Sequence, residues 1–349
     1  MAYTDIDDPS AYFQNLLWTG NNTDGTALTF DGNSDMQPDF VWVKHRNGTG
    51  YHGLFDSVRG VTKRLHTNTT GAEGTVAESL QSFNSNGFTV GNNSEINGSS
   101  KTYVGWNWKA GTSFSNSAGA NGANLASTGS VSTTAGFSIV SFTGNRSTTR
   151  NIYHGLGAVP KMIIFKNRST TNGWTVYNEA IGNANKLTLN STNASGGCSA
   201  CFASTNPTST LFSVGDDSDT NGTSNNMIAY CFADVKGYSK ISSYKGTGSN
   251  NFIYTGFKVG WLLVKVSDGT NGWLVIDTKR SPANPQGKFV YANANSAEGT
   301  VTYGEFFSNG FGWKGTNSIA VNQSGKNYVY MAFAENPFVT STGVPATAR

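Results

Sequence analysis

The sequence predicts an all-β protein of three tandem antiparallel β-sandwich repeats, of jelly-roll or lectin-like type, each about 100 residues long. Three observations predict it. Gly and Asn recur between short apolar runs at intervals of roughly 8 to 12 residues, the spacing of turn-linked strands. A strand-like run ending in lysine occurs three times, as Phe40-Val41-Trp42-Val43-Lys44, Met162-Ile163-Ile164-Phe165-Lys166 and Trp261-Leu262-Leu263-Val264-Lys265. An aromatic-rich run closes each copy: Tyr103-Val104-Gly105-Trp106-Asn107-Trp108, Met227-Ile228-Ala229-Tyr230-Cys231-Phe232 and Tyr328-Val329-Tyr330-Met331-Ala332-Phe333. The lysines step by about 122 and about 99 positions, and the closing aromatics by about 124 and about 101. Start and end markers move together, so the repeating unit is a whole domain and not a solenoid turn.

The elements follow one order in each copy. An opening strand ends in a turn at Trp18-Thr19-Gly20-Asn21, Phe142-Thr143-Gly144-Asn145 or Tyr244-Lys245-Gly246. The lysine-ended run comes next. Both of its parities are apolar, which suits a strand covered on two sides or one at a domain contact. Eight residues later stands His52, Trp174 or Trp273, followed by a further strand. A late hairpin precedes the closing run, with Asn-Gly as a tight-turn signal in Phe83-Asn84-Ser85-Asn86-Gly87-Phe88 and Phe307-Ser308-Asn309-Gly310-Phe311. Residues 1–110 form repeat 1, 136–236 repeat 2 and 237–336 repeat 3. Residues 111–135, almost all Gly, Ser, Ala, Asn and Thr, read as a flexible linker or an extended segment draped on a neighbour. Repeats 2 and 3 meet without a spacer and read as a rigid pair, with repeat 1 apart from them as the anchor. Residues 337–349 read as an exposed tail.

Composition narrows the function classes. Charged residues make up 13% of 349 and the net charge is +3, too small to point to nucleic acid. The one basic group, Arg59, Lys63, Arg64 and His66, reads as a solvated loop in preference to an anion site. No apolar window is long enough for a membrane span, and Met1-Ala2-Tyr3-Thr4-Asp5 does not open a signal peptide. Three cysteines, with Cys198 and Cys201 in a lone C-x-x-C, lack a fourth zinc ligand and a redox-type βαβ setting, so they read as unpaired thiols assembled in a reducing compartment.

The sequence holds few candidates for chemistry. His45, His52, His66 and His154 show no metal-binding spacing, and His52 stands where the other copies carry tryptophan, a packing position. Asp217, Asp219 and Asn221 copy the first half of a calcium loop, but the twelfth position is Ile228, so a polar turn is the preferred reading. Asp56 to Arg59 and Asp277 to Arg280 share a spacing, and Ala-Glu-Gly-Thr recurs around Glu73 and Glu298; repeat 2 lacks both. Arg59 with Glu73, and Arg280 with Glu298, read as structural pairs. The carboxylate pairs Asp56/Glu73 and Asp277/Glu298 are the only ones to nominate for glycoside hydrolysis, and their arginines explain them better. Trp174 and Trp273, each following Asn-Gly, are the candidates for ligand or receptor contact, as stacking platforms or as caps on a sandwich core.

The pattern is similar to a repeat family of virion structural proteins from marine bacteriophages of cyanobacteria and Pelagibacter-like hosts. The resemblance rests on Asp7-Asp8-Pro9-Ser10-Ala11-Tyr12-Phe13-Gln14, on Gly32-Asn33-Ser34-Asp35 with Gln37-Pro38-Asp39, and on Asp56-Ser57-Val58-Arg59-Gly60. It extends through His154-Gly155-Leu156-Gly157 with Pro160-Lys161-Met162-Ile163, Gly237-Tyr238-Ser239-Lys240, and Met331-Ala332-Phe333-Ala334-Glu335-Asn336-Pro337. It implies a non-enzymatic virion protein, assembled in the bacterial cytoplasm, without cofactor, catalytic residue or bound metal. A tail component is expected, a fibre or fibre adaptor serving host attachment or appendage assembly. The alternatives are a capsid-decoration or head-fibre protein and a lectin-like carbohydrate-binding module. Expected partners are other virion proteins and a host-surface glycan or protein, with no nucleic acid and no membrane insertion. Copies of the chain are expected around a symmetry axis, as a trimer or ring.

Overall fold

The computed structural model describes residues 4–346. Its strands form three pairs of sheets, each with a large and a small member, and every ladder is antiparallel. The first large sheet runs Phe13–Thr19, Thr102–Trp108, Phe40–His45, His52–Asp56, Lys63–His66 and Gly74–Thr75. The third repeats that order as Ser239–Lys245, Asn327–Pro337, Phe257–Val266, Leu274–Asp277, Lys288–Tyr291 and Gly299–Thr300. The second has eight strands. Thr112–Asn116 and Ser127–Ser132 are added outside its opening strand Phe137–Thr143; Asn226–Phe232, Met162–Asn167, Trp174–Asn178, Asn185–Thr188 and Gly196–Gly197 follow.

Each large sheet is apolar on both faces, and that explains the double parity of the lysine-ended runs. Val41 and Val43 face the first small sheet, where they join Leu80, Phe88 and Val90. Ile163 and Phe165 do the same with Ile152, Phe212 and Val214, and Leu262 and Val264 with Ile253, Phe306, Phe311 and Trp313. The alternate residues, Phe40 and Trp42, Met162 and Ile164, Trp261 and Leu263, enter a fourth cluster that all three large sheets share. Its rings meet across sheet borders: Phe40–Tyr230 at 4.7 Å, Trp108–Trp261 at 5.3 Å and Phe13–Phe333 at 5.3 Å between centroids. Trp42, Trp106, Trp108, Trp174, Trp261 and Trp273 are all buried there. Each is worth on the order of 4–6 kcal/mol of gross transfer free energy, from 150–250 Å² at about 25 cal/mol/Å², an upper bound.

Polar contacts close the borders in a cycle. Gly50 N donates to Asn295 O (2.8 Å), Asn172 N to Thr70 O (2.9 Å) and Asn271 N to Thr192 O (2.9 Å), so the first sheet pair reaches the third, the second the first, and the third the second. The three repeat lysines follow the same cycle: Lys44 Nζ donates to Asn295 O (3.4 Å), Lys166 Nζ to Thr70 O (3.0 Å) and Lys265 Nζ to Thr192 O (3.2 Å), each alongside carbonyls of its own turn. Burial pushes all three ammonium groups down to about 8, Arg280 adding to the effect at Lys44 and Asp219 opposing it at Lys166. These ammonium groups donate to carbonyl dipoles.

Three expectations change. Residues 111–135 are not a free linker: the two added strands extend the second large sheet, and the Phe114 ring lies 5.6 Å from that of Tyr153. Small residues permit this close layering, since a Cβ on Gly129 would lie 2.5 Å from Phe114 Cε1. Nor does the first sheet pair stand apart from a rigid second and third; it shares the central cluster with both. The tail is partly tied down, with Ser341 N donating to Asp7 Oδ1 (2.6 Å) and Val339 bridging Pro345; residues 347–349 lie outside the described range, as do residues 1–3 of the N-terminal segment. The Asn-Gly hairpins form with Ser85-Asn86 and Ser308-Asn309 as the two turn residues, since Asn84 pairs with Gly87 and Phe307 with Gly310. Gly87 has φ of +113°, and a Cβ there would sit 2.0 Å from Leu28 O.

Candidate binding face

Trp174 and Trp273, candidates for contact or for capping a sandwich core, are buried (0% and 1% exposed) and serve the core. Parity places them: Trp174 and Val176, like Trp273 and Val275, lie on the face of their strand that enters the shared cluster. Their indole Nε1 groups donate across sheet borders, Trp174 to His66 O (2.9 Å) and Trp273 to Thr188 O (3.0 Å). His52 fills the matching place in the first large sheet. Trp42 Nε1 donates to its Nδ1 (3.0 Å), so Nε2 carries the proton and donates to Tyr291 O (3.0 Å). Burial, with Lys44 nearby, holds this imidazole neutral, well below its ordinary range.

The arginine–glutamate pairs are real and reach further than expected. Arg59 Nη1 lies 3.1 Å from Glu73 and Arg280 Nη1 3.5 Å from Glu298. Each glutamate also holds an arginine of another sheet pair: Glu73 binds Arg168 (2.9 Å) and Glu298 binds Arg46 (2.9 Å). Behind them, buried Asp56 accepts from Arg59 and from Tyr230 Oη (2.7 Å), and buried Asp277 accepts from Arg280 and from Trp106 Nε1 (2.9 Å). At the matching third border the whole set is absent together: Asn178 replaces the aspartate, Ile181 the arginine, Ser195 the glutamate, Ser267 the partner arginine and Met331 the ring donor. There Ser195 N simply donates to Ser267 O (2.7 Å). These carboxylates are occupied as clamps. Of the basic group, Arg64 and His66 both bind Glu95 (2.7 and 3.1 Å) and Lys63 binds Thr75 (2.8 Å).

The calcium candidate does not converge. Asp217 caps the short helix Ser218–Asn221 through Asp219 N (2.8 Å). Asp219 pairs with Lys186 (3.0 Å) and Asn172 (2.8 Å), and Asn221 Nδ2 donates to Gly215 O (2.8 Å). Helical backbone turns these side chains apart, whereas a calcium loop would turn them inward. The cysteines also depart from expectation: Cys198 and Cys201 form a disulfide, and Cys231 is a free, buried thiol whose pKa burial raises.

What faces solvent is the outer side of the third small sheet, Asn251–Tyr254, Gly310–Trp313 and Gly304–Phe307. Ile253 points inward at 7% exposure, so alternation turns Phe252 (52%) and Tyr254 (61%) outward. Phe306 points inward and Phe307 outward. The rings of Phe252 and Phe307 meet at 5.5 Å across the middle strand. Gly310 and Gly312 make room for them, since Cβ atoms there would come within 3.1 Å of Phe252 Cε2 and 3.0 Å of Phe307 Cε2. Asn250, Asn251, Glu305 and Lys314 rim a cleft of about 310 Å³ beside these rings, and Tyr254 borders a second, of about 370 Å³, with Thr255 and Phe338. At the matching place in the second pair, Tyr153 is covered by Phe114; the first pair carries Thr26-Ala27-Leu28 there. Alternation in Asn251-Phe252-Ile253-Tyr254 is the signal in the sequence that marks this face.

Fold and face define an all-β protein of paired antiparallel sheets with an outward aromatic surface on the third small sheet. Among the described residues, no helix is long and apolar enough to cross a membrane. The chain belongs to a family described as a domain of unknown function, DUF7483, which matches residues 8–337. A search of curated proteins finds no match.

Proposed function

We propose that this chain is a bacteriophage virion structural protein, a tail fibre component or fibre adaptor, whose role is contact and not catalysis. We read the three sheet pairs as tandem copies of one lectin-like β-sandwich that have fused around a common interior. The resemblance to marine phage virion proteins supports this reading. The observation that carries it is the combination of a rigid shared interior with one bare aromatic face on the third pair. Phe252, Tyr254 and Phe307 offer contact area at low ordering cost, and Asn250, Asn251, Glu305 and Lys314 offer adaptable hydrogen bonds. The carboxylates nearest to a hydrolase pair are held by arginines within the interior.

Locating the chain in a particle reconstruction tests this: density at the tail or its fibres supports it, density on the capsid surface would mean a decoration or head-fibre protein, and absence from the particle would overturn it. The aromatic face itself favours a second reading, a sugar-binding module, because pyranose rings stack on exposed aromatics. Glycan-array binding that is lost in Phe252→Ala and Tyr254→Ala would support it; an array without signal would refute it.

A further inference from the structure

We infer that Cys198, Cys201 and Asp217 form a site for a thiophilic divalent cation, zinc foremost, which the reduced protein fills and the disulfide closes. The three donor atoms lie within 4.8 Å of one another. Cys201 N donates to Cys198 O (3.1 Å), and this turn sets the two Cα atoms 5.3 Å apart with both sulfurs on one side. Tetrahedral zinc, with Zn–S of about 2.3 Å and Zn–O of about 2.0–2.2 Å, needs its donors roughly 3.5–3.8 Å apart. Asp217 Oδ2 already lies 3.8 Å from Cys198 Sγ.

The carboxylate is aimed there. Its Oδ1 accepts from Asp219 N (2.8 Å), which fixes the group and turns Oδ2 toward the sulfurs. A disulfide sulfur carries no proton, so in the oxidised protein Oδ2 gains no hydrogen bond from it; a thiol or a metal would give it a partner. The surroundings are held on both sides: Cys198 N donates to Ala184 O (2.8 Å) and Thr220 Oγ1 to Cys201 O (2.9 Å). Cys201 is buried and Cys198 half-buried, so three protein ligands would leave a fourth position open toward the Cys198 side. Two-electron reduction of the disulfide yields two thiols. Binding Zn²⁺ then releases their two protons, so affinity rises with pH. A bound metal would pin Phe202, a core residue of the second sheet pair, to the cap of the short helix.

The test uses the full chain. Protein reduced with a phosphine and stripped of metal is titrated with Co²⁺ under inert gas, then with Zn²⁺. One equivalent of Co²⁺ with a sulfur-to-cobalt charge-transfer band, displaced by Zn²⁺, is the expected result, and the oxidised chain should show no band. Cys198→Ser should abolish the band, and Asp217→Asn should weaken binding by at least about tenfold. Asp216→Asn, an exposed neighbour paired with Arg146, should leave binding unchanged. No band in the reduced wild-type chain, or an equal band in the oxidised chain, overturns the proposal without depending on the folding of any variant.

Discussion

Asp56→Asn probes the clamp between the first and second sheet pairs. Asp56 and the Arg59 guanidinium are both fully buried, and Asp56 also accepts from Arg59 N (2.8 Å) and Tyr230 Oη (2.7 Å). Burial disfavours the guanidinium charge, while Asp56, Tyr230 and Glu73 hold its pKa above the usual arginine range. The substitution keeps the shape and removes the charge. Arg59 retains Leu54 O, Lys63 O and Glu73, but loses its nearest anion in a buried setting. Breaking a buried pair from one side costs about 3–5 kcal/mol. The chain contains its own control in Asn178, Ile181 and Met331. The triple variant Asp56→Asn/Arg59→Ile/Tyr230→Met copies the buried part of that border, leaves Glu73 paired with Arg168 and removes the stranded charge, so it should recover at least about 2 kcal/mol of the loss. Urea denaturation followed by tryptophan fluorescence and circular dichroism measures both. A single-variant cost below about 1 kcal/mol, the range of a surface pair, would refute the reasoning, as would a triple variant no better than the single one.

Other outcomes follow from the same geometry. His154 is buried and burial lowers its pKa to about 4, against 6.5 unfolded. The unfolded chain therefore binds more protons between these values, and stability should fall as pH drops from about 6.5 to 4; His154→Gln should flatten that slope in thermal melts. Lys44, Lys166 and Lys265, at about 8 folded against 10.5, give the same sign higher up, so their contribution to stability should rise from pH 8 toward 10; Lys265→Met should reduce the rise. Gly312→Val should destabilise by about 1–3 kcal/mol, because its Cβ meets Asn251 O at 2.5 Å, and a chemical melt reads this directly. Tyr254→Ala should change stability by no more than about 0.5 kcal/mol while weakening cell or glycan binding.

Much of the fold was legible because period and punctuation agreed. Phe40-Val41-Trp42-Val43 announced a strand covered on both sides, and both covers exist. What covers the second side was not legible, since alternation says that a face is buried but not by what. The same gap left Trp174 and Trp273 open between a contact platform and a core cap: Asn-Gly marked the turn, but only the parity shared with Val176 and Val275 tells that the rings enter a common interior. Residues 111–135 read either as a linker or as an extended segment laid on a neighbour because Gly, Ser and Thr composition cannot separate a free segment from a thin edge strand; Phe114 is the clue to the second. The loop Asp217–Asn221 matched a motif by letters, and helical backbone spread its side chains. Asp217 meets Cys198 across a separation of 19 residues that no local spacing rule connects.

Scanning calorimetry of the intact chain, compared with fluorescence and far-ultraviolet melts, tests the shared interior most directly. Because each large sheet lends one face to the common cluster, none of the three can melt without uncovering the other two. One transition with coincident midpoints and equal calorimetric and van't Hoff enthalpies is the predicted result. Two or three separable transitions, each with the enthalpy of about 100 residues, would contradict it.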